Sequence, residues 1–331
     1  MALSASQLSE ANAIAVNYIY GSIPDILTKA NYGLKMFYDN KQYVSGGPQI
    51  QVAIQFAANS SIGSINGAFE PIDTNENQQL TYGTLDWKFQ YQNVSITLKD
   101  NTFAGDTRQA IKSLVEAKVA ATKADMARYF STMIHSSGTS SNKQWNGFPD
   151  MFAASGTAYM GLNDTDVTNW LPIIDTTSQV VTYPVVASMI RRLRGRTQTV
   201  GVTASQFEVD TMISNSAVMQ AYMDTLQSQQ RFVETKKLES GFEGITVNGV
   251  DWYVDENAAG SADGSTADNY LYVITSKSMK LFHKDGFDGK SPFDQNIQLA
   301  SQPVKSSQVF FSGNVGCVNR YVNGVFKTLI A

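Results

Sequence analysis

Histidine and cysteine are scarce in this chain. Its 331 residues include two histidines, His135 and His283, and one cysteine, Cys317. A single cysteine excludes a disulfide within the chain, and these distant residues give no cluster with the spacing of a metal site. Histidine is the usual acid–base residue near neutral pH, and neither one stands in a recognisable catalytic context. His135 falls at a predicted helix end, where the helix dipole favours a cation, so we expect a structural role.

Charged residues and long apolar runs are also rare. Charged residues make up 16% of the chain, against about 25% in typical proteins, and the net charge of −4 gives no strong attraction to nucleic acid or anionic lipid. No run of about 18 apolar residues exists, so we expect no membrane-spanning helix. The N-terminus also lacks the basic start and unbroken apolar run of a signal peptide.

Asn, Gln, Ser and Thr take the place of the missing charges. Uncharged polar groups lose less hydration than ions when another chain buries them. This composition therefore favours extensive self-contact, although a compositional bias of the lineage explains it equally well.

The motifs of common ligand sites are incomplete. A calcium-loop pattern begins at Asp73 but has Gln78 in place of the required glycine. Gly-Lys-Ser at 289–291 ends like a phosphate-binding loop whose first glycine is missing. There is no nucleophile elbow and no dinucleotide fingerprint. We therefore predict no catalytic residue, no metal and no cofactor, and a protein that is not an enzyme.

Two segments alternate between apolar and polar residues with the period of a β-strand. In 49–57 one side holds Ile50, Val52, Ile54 and Phe56. In 85–98 one phase holds Leu85, Trp87, Phe89 and Tyr91, and the opposite phase holds Val94, Ile96 and Leu98. This change of phase predicts a β-bulge or bend near Gln92–Asn93.

The connection between these strands, 58–84, is long and polar. A structureless loop of this length is unusual, and a two-stranded ribbon is only marginally stable alone in water. We therefore favour a ribbon that reaches out to another chain over one that folds back on its own core.

The strongest helix prediction covers 106–136, where Asp106 and Gln109 form a capping-box pattern. This helix is much longer than the average of about 11–12 residues. Its predicted apolar face holds Ile111, Leu114, Val115, Val119, Thr122, Met126, Tyr129, Phe130 and Met133. The segment 31–48, rich in Gly, Asn and Tyr, is typical of an extended arm or loop.

The second half of the chain mixes helices and strands. We predict a helix that Thr182 caps and Gly195 ends, then a strand at 197–203 and a helical stretch at 204–226. Strands follow around an Asn248-Gly249 hairpin turn and at 269–276 and 279–283. A loop at 284–303 leads to a closing strand pair turned at Asn323-Gly324. The segment 139–181 is expected to be irregular.

The densest basic cluster lies in the predicted last turn of the helix that Thr182 caps. It consists of Arg191, Arg192, Arg194 and Arg196. These cations offset the partial negative charge of the helix end, or they contact DNA or acidic residues of a neighbouring chain. No aromatic stacking platform accompanies them, so we expect no sequence-specific recognition of nucleic acid.

The order of elements resembles the major capsid proteins of tailed bacteriophages, which have the Hong Kong 97-type capsid fold. The resemblance is carried by the succession of ribbon, uncommonly long helix, and late VNGVDWYVDENAAG followed by NYLYVITSKSMKLF. It implies an α+β fold with an N-terminal arm at 1–48, an extended β-ribbon loop at 49–98, a peripheral domain at 99–182 with a spine helix at 106–136, an axial domain at 183–303, and C-terminal strands at 304–331 that return to the peripheral domain.

The resemblance also implies partners. Subunits would assemble with one another as pentamers and hexamers of an icosahedral shell, first as a procapsid in the bacterial host cytoplasm and then as a virion capsid around double-stranded DNA, with a scaffolding protein and a portal. Ribbon residues expected to contact a neighbouring subunit are Ile50, Val52, Ile54, Phe56, Phe69, Trp87, Phe89 and Tyr91. The arginine cluster is expected to face the lumen and its DNA, or a neighbour.

Some family members cross-link a ribbon lysine to a distant asparagine. The segment 58–84 has no lysine, so we expect no such bond here. No scaffold-like region precedes the arm, which favours a separate scaffolding protein.

Other functions remain open from the sequence. A cargo-enclosing nanocompartment shell shares this fold. A monomeric α/β module that binds carbohydrate or protein, and an enzyme of unfamiliar type, are alternatives from different classes.

Overall fold

The computed structural model describes residues 31–55, 64–65, 67, 80–97, 108–139, 143–163, 167, 169–199, 208–227, 235–237, 243–258, 269–288, 297–298 and 304–330. Five α-helices form among these residues: α1 (Tyr32–Asp39), α2 (Arg108–Ile134), α3 (Phe148–Met151), α4 (Tyr183–Thr199) and α5 (Ser216–Gln227). Two short 3-10 helices cover Glu256–Ala258 and Ser276–Ser278. The strands are β1 (Lys41–Tyr43), β2 (Gln49–Gln55), β3 (Leu80–Asp86), β4 (Lys88–Thr97), β5 (Ile173–Asp175), β6 (Gln179–Val180), β7 (Thr211–Ser214), β8 (Thr235–Lys237), β9 (Glu243–Val247), β10 (Val250–Val254), β11 (Asn269–Ile274), β12 (Met279–Asp288), β13 (Ile297–Gln298), β14 (Val304–Cys317) and β15 (Gly324–Ile330).

Helix α2 confirms the long helix predicted from the sequence. It has 27 residues and is therefore about 40 Å long. Phe130, Met133 and Ile134 are buried near its C-terminal end. Tyr129, which the sequence places on the buried face, is instead 49% exposed, so the apolar face is narrower than predicted.

Helix α1 was not predicted, because the segment 31–48 was expected to be extended. Asn31 caps the helix, and its side chain accepts a hydrogen bond from the backbone N–H of Gly33 at 2.7 Å. Leu34 and Phe37, one helical turn apart, are buried. The cap and this spacing outweigh the loop-like composition of the segment.

A five-stranded sheet contains the long strand β14. Its strand order is β1-β12-β14-β13, and β4 also pairs with β14. Helix α2 contacts β4 on one side of this sheet. The ring of Phe130 from α2 stacks on Trp145 with ring centroids 4.8 Å apart, and both rings contact Phe311 of β14.

A second sheet has eight strands, in the order β5-β15-β11-β7-β10-β9-β8, with β6 also paired to β15. The β9–β10 hairpin confirms the predicted turn, since Asn248 and Gly249 both have positive φ, at 51° and 77°. The predicted pairing of the two last strands is wrong. β14 belongs to the five-stranded sheet and β15 to the eight-stranded sheet, so the turn before Gly324 carries the chain from one sheet to the other.

The buried hydrophobic residues form two clusters, and each cluster includes strands of one of the two large sheets. The first joins α1, α2, the β2–β3 pair and the five-stranded sheet, with Phe37, Ile50 and Phe282 among its members. The second joins α4, α5 and the eight-stranded sheet, with Met189 and Trp252 among its fully buried members. Side chains of Ile213 and Tyr272, from the eight-stranded sheet, join the first cluster.

Several boundaries differ from prediction. Helix α4 continues through Gly195 to Thr199, so 197–199 are helical rather than strand. The chain forms strand β7 at 211–214, inside the stretch predicted to be helical. Strand β12 extends to Asp288, into the predicted loop. The short elements α3, β5 and β6 lie within the segment expected to be irregular.

No helix among the described residues has both the length and the apolar character needed to cross a membrane.

Candidate functional site

Strands β2 and β3 form the described part of the predicted ribbon. They pair antiparallel over their full length, from Gln49 opposite Asp86 to Gln55 opposite Leu80. The second ribbon strand is therefore 80–86, whereas the sequence placed it at 85–98. Residues 80–84, predicted as part of the polar connection, are strand.

One face of this ribbon packs on its own subunit. Ile50, Val52 and Ile54 are 0%, 8% and 6% exposed and belong to the first core cluster. Their side chains are already covered, so the packing inside one subunit replaces the neighbour contact that the sequence predicts for them. Most of the connection 58–84, which was predicted to reach another chain, lies outside the described residues.

Residues 159–162 support that face. Thr84 donates its backbone N–H to the carbonyl oxygen of Met160 at 2.9 Å. A Cβ at Gly83 would lie 3.0 Å from Cδ1 of Ile54 and 3.1 Å from Cβ of Met160. The lack of a side chain at Gly83 thus permits close packing. The opposite face of the ribbon carries Leu80 and Tyr82, which are 58% and 64% exposed.

Two of the predicted contact residues, Phe56 and Phe69, lie outside the described residues. Trp87 is half-buried at the break between β3 and β4, and its indole N–H donates to the carbonyl oxygen of Gly47 at 3.0 Å. This hydrogen bond anchors the base of the ribbon to the segment that precedes β2.

Strand β4 presents its aromatic side chains outward. Phe89 and Tyr91 are 68% and 71% exposed, whereas Lys88 and Gln90 are 4% and 5% exposed. The pairing of β4 with β14 keeps one register from Lys88 opposite Gly313 to Thr97 opposite Val304. The predicted bulge near Gln92–Asn93 is therefore absent from this pair, and the change of phase occurs at Trp87.

The buried polar side chains of β4 find partners in the segment that follows α2. The ammonium group of Lys88 donates to the carbonyl oxygen of Gly138 at 3.4 Å. The Gln90 amide donates to the carbonyl oxygen of Lys143 at 3.4 Å and accepts from the indole N–H of Trp145 at 3.2 Å. These bonds offset the loss of hydration that burial of Lys and Gln entails.

The same segment also holds β14 and the ribbon base. Asn314 is fully buried; its side-chain oxygen accepts from the backbone N–H of Asn146 at 3.0 Å. Its amide donates to the side chain of Asn146 at 2.8 Å and to the carbonyl oxygen of Asp86 at 2.9 Å. The residues after α2 therefore fix the geometry of β3, β4 and β14 together.

His135 lies directly after the last residue of α2, as expected, and has a partner that the sequence did not reveal. Its Nε2 lies 2.9 Å from Oδ2 of Asp255, and both side chains are almost fully buried. Burial raises the pKa of Asp255, but the hydrogen bond and charge interaction with His135, with hydrogen bonds from Asn257 and Asn31, outweigh it, so the net pKa is lowered.

The arginine cluster divides by exposure into two pairs. Arg191 and Arg192 are exposed, and Nε of Arg191 donates to the carbonyl oxygen of Ala187, one turn earlier in the same helix, at 3.3 Å. Arg196 donates to the carbonyl oxygens of Leu171 and Tyr321 at 3.0 and 3.3 Å, and its guanidinium lies 4.3 Å from the centre of the Tyr321 ring.

Arg194 donates to the carbonyl oxygen of Asn248 at 2.9 Å, and its Nε lies 3.9 Å from Oε1 of Glu208, beyond hydrogen-bond distance. Because α4 continues to Thr199, only Arg196 is in its last turn. The explanation through the helix dipole therefore fails for the other three arginines.

Among the described residues, no group of three or more His, Cys, Asp and Glu side chains is arranged to hold a metal ion. The arrangement described above is one of packing, strand pairing and exposed aromatic rings. It suits association between protein surfaces.

No protein-family model matches this sequence, and no curated protein is similar to it in sequence. Solved structures are similar in fold. The capsid of cyanophage A-1(L) matches with a TM-score of 0.59 at 13% identity, over 91% of this chain and 93% of that chain. The capsid of an empty GTA particle matches with a TM-score of 0.58 at 11% identity, over 90% of this chain and 96% of that chain.

The holo-SrpI encapsulin complex of Synechococcus elongatus PCC 7942 is also similar. Its TM-score is 0.54 at 9% identity, over 87% of this chain and 85% of that chain. These likenesses span nearly the whole of each chain and agree with the α+β architecture expected from the resemblance. The chain therefore has the Hong Kong 97-type capsid fold, which phage capsid proteins and an encapsulin share.

Proposed function

We propose that this protein is the major capsid protein of a tailed phage, and that it assembles with copies of itself into an icosahedral head shell around double-stranded DNA. The observation that carries the proposal is the fold, which matches a cyanophage capsid over 91% of this chain and 93% of the other. A match of this extent leaves little of either chain for a different architecture. The proposed protein is a structural one, not an enzyme.

The proposed domain layout follows the resemblance. The arm at 1–48 and the ribbon strands β2 and β3 lap over neighbouring subunits, whereas β4, at 88–97, pairs with β14 in the five-stranded sheet. The peripheral domain spans 99–182, the axial domain spans 183–303, and the strands at 304–331 close the chain. Pentamers and hexamers form first as a procapsid in the host cytoplasm. A scaffolding protein and a portal are the proposed helpers, and the virion capsid is the final location.

The subunit contacts in this proposal rest on exposed side chains of β4, next to the ribbon in the chain. Phe89 and Tyr91 are each more than two-thirds exposed on a strand whose pairing with β14 is continuous. Aromatic rings are enriched at the centres of protein interfaces. Neighbouring subunits are the proposed cover for these rings.

Non-specific contact with packaged DNA is proposed for Arg191 and Arg192. Both are exposed, and exposed cations neutralise phosphate without reading bases. Arg194 and Arg196 bind backbone carbonyls of their own subunit and are proposed to hold the local fold instead.

A nanocompartment shell is the second candidate, favoured by the similarity to an encapsulin complex. The contents of the particle distinguish the two functions. DNA inside supports the phage capsid, and an enclosed protein cargo supports the compartment.

The test is to express the full chain and examine it by negative-stain electron microscopy and sedimentation. Megadalton closed shells are expected. A protein that stays at 36.2 kDa at every concentration tested would remove the proposal and favour a monomeric binding module.

A further inference from the structure

A tight turn at 159–162 lies against strand β3. Tyr159 and Leu162 bond each other twice, since the backbone N–H of each donates to the carbonyl oxygen of the other at 3.0 Å. Between them, Met160 and Gly161 both have positive φ, at 55° and 74°. A two-residue connection with positive φ at both positions has the form of a type I′ turn. We call residues 159–162 the Met160 turn.

Methionine is an unusual residue at this position. The hairpin turn at Asn248-Gly249 has nearly the same backbone, with φ of 51° and 77°, and its first residue is an asparagine. Asparagine tolerates positive φ because its short polar side chain bonds locally, whereas in methionine nothing offsets the close approach of Cβ to the following carbonyl oxygen. Met160 therefore holds backbone strain that Asn248 does not.

The surroundings of the turn keep it in this conformation. The Tyr159 hydroxyl accepts the backbone N–H of Cys317 in β14 at 2.9 Å. The Arg320 guanidinium lies 4.9 Å from the centre of the Tyr159 ring. Tyr159 and Met160 are both buried. Strained residues persist only where the surrounding structure fixes them, and they concentrate at clamps and switches.

The strained backbone positions a contact with β3. The carbonyl oxygen of Met160 accepts the backbone N–H of Thr84 at 2.9 Å. Cβ and Cε of Met160 lie 3.1 and 3.3 Å from the point that a Cβ at Gly83 would occupy, so the methionine side chain lies directly on the β3 backbone. A Cβ at Gly161 would lie 3.3 Å from Oγ1 of Thr84. Both central residues of the turn therefore meet the same two residues of β3.

Strands β2 and β3 can separate from the rest of the subunit as a unit. Among the described strands they pair only with each other, and a two-stranded ribbon is marginally stable alone in water. Burial of Ile50 and Ile54 and the hydrogen bond from Thr84 to the Met160 turn hold the pair on the core. Departure of the pair from the core breaks no strand pairing in either large sheet.

We propose that the Met160 turn is a strained latch, which holds the β2–β3 pair on its own subunit and releases it when the Met160 backbone relaxes. In the closed state, packing and the Thr84 hydrogen bond outweigh the strain. Relaxation to negative φ moves the Met160 carbonyl away from Thr84, and the strain that is relieved offsets part of the cost of exposing the apolar face of the pair. The latch is a property of one subunit, so it does not rest on the proposed shell function.

Hydrogen exchange followed by mass spectrometry tests the release. The full chain is labelled below the concentration at which particles form. Peptides that cover 80–86 are expected to exchange through local opening, at least about tenfold faster than peptides from β7 and β11 inside the eight-stranded sheet. Exchange of 80–86 only through global unfolding, at the rate of β7 and β11, would overturn the proposal.

A matched pair of glycine variants shows whether the turn controls the release. Gly156 and Gly161 have similar φ, at 83° and 74°, so alanine is strained at both positions. A Cβ at Gly156 meets no atom within 4 Å, whereas one at Gly161 reaches Thr84. Gly161→Ala is expected to speed the exchange of 80–86 by roughly tenfold, and Gly156→Ala to leave it unchanged. Equal effects of the two variants on 80–86 would show that the turn is no latch.

A second pair of variants isolates the strain at Met160. Met160→Ala and Met160→Gly both remove the side-chain contact with Gly83, but glycine alone adopts positive φ without strain. The segment 80–86 is therefore expected to exchange about fivefold more slowly in Met160→Gly than in Met160→Ala. Exchange as fast or faster in the glycine variant would show that Met160 stores no strain and would overturn the latch. Exchange of β7 and β11 in the same samples reports global stability, so loss of fold is not confused with release.

Discussion

Nε2 of His135 lies 2.9 Å from Oδ2 of Asp255, so a buried hydrogen bond joins two residues 120 positions apart in the chain. One residue follows the long helix α2, and the other follows strand β10 of the eight-stranded sheet. Asp255 also accepts the backbone N–H of Asn257 at 2.9 Å. The pair therefore ties the end of α2 to the second sheet.

Asp255→Asn is expected to lower the free energy of unfolding at neutral pH by about 2 kcal/mol, because a buried hydrogen-bonded charge is replaced by a neutral amide. The pKa of Asp255 in the folded state lies below its ordinary value of 3.8. The stabilisation from ionised Asp255 is therefore complete above pH 3.8 and is lost as the pH falls through the folded-state pKa. Chemical denaturation across pH measures the difference between the two proteins, which should shrink below pH 3.8. Asp125→Asn, at a 61% exposed side chain, is the control and should change little.

Gln90→Leu is expected to destabilise the subunit more than Phe89→Thr, although the first change adds apolar character and the second removes it. Leucine leaves the indole N–H of Trp145 and the carbonyl of Lys143 without their partner, at a cost of about 2 kcal/mol. Substitution of the exposed Phe89 should change the free energy of unfolding by no more than about 0.5 kcal/mol. Urea denaturation of the two monomers makes the comparison, and a reversed order would contradict the inward orientation of Gln90.

Two glycines should respond to alanine in opposite directions. A Cβ at Gly147 would lie 2.0 Å from the carbonyl oxygen of Ile134, so Gly147→Ala should cost about 3 kcal/mol or more. A Cβ at Gly195, within α4, meets no atom within 4 Å, so Gly195→Ala should stabilise by about 0.5–1 kcal/mol. Thermal unfolding measures both, and a destabilised Gly195→Ala would contradict the continuous helix.

Cys317 should not react with thiol reagents in the folded protein. The side chain is buried, and burial raises its pKa to about 11. At pH 8 the reagent therefore cannot reach the sulfur, and the thiol is not ionised to the reactive thiolate. Titration with a chromogenic disulfide should count no thiol per native chain and one per chain in guanidinium. Rapid labelling of the native protein would show that the region opens.

Arg196→Ala should destabilise the fold, whereas the double change Arg191→Ala/Arg192→Ala should not. Removal of Arg196 leaves the carbonyls of Leu171 and Tyr321 without their donor, and the expected loss is about 1–2 kcal/mol. The exposed pair should alter stability by less than about 0.5 kcal/mol. Denaturation gives the stabilities.

For the proposed DNA contact, charge reversal at Arg191 and Arg192 should reduce the amount of DNA retained in particles that still close.

The sequence predicts the elements whose periodicity is long or whose turn has its own chemistry. Helix α2 and the hairpin at Asn248-Gly249 are recognised because each depends on neighbouring residues. Strand β2 is recognised by its strict alternation. The sequence does not predict which face of β4 is buried. Alternation of residue types defines two faces of a strand, and tertiary partners such as Trp145 decide which of them is buried.

Contacts between distant segments leave no local pattern. Nothing near His135 in the sequence points to Asp255, and nothing near Arg196 points to Leu171. The exposed face of strand β3 had a weak signal in the sequence, because Leu80, Tyr82 and Thr84 alternate with Thr81, Gly83 and Leu85. The polar composition around them favoured a loop instead.

Strand β15 comes last among the described elements, yet it lies inside the eight-stranded sheet, between β5 and β11. Among the described strands, β5 and β6 pair with β15 alone. That sheet is therefore not complete until residue 330 has left the ribosome. A nascent or shortened chain that lacks β15 leaves β5 and β6 without the strand that they pair with, so this sheet is assembled around the segment of the described chain that is translated last.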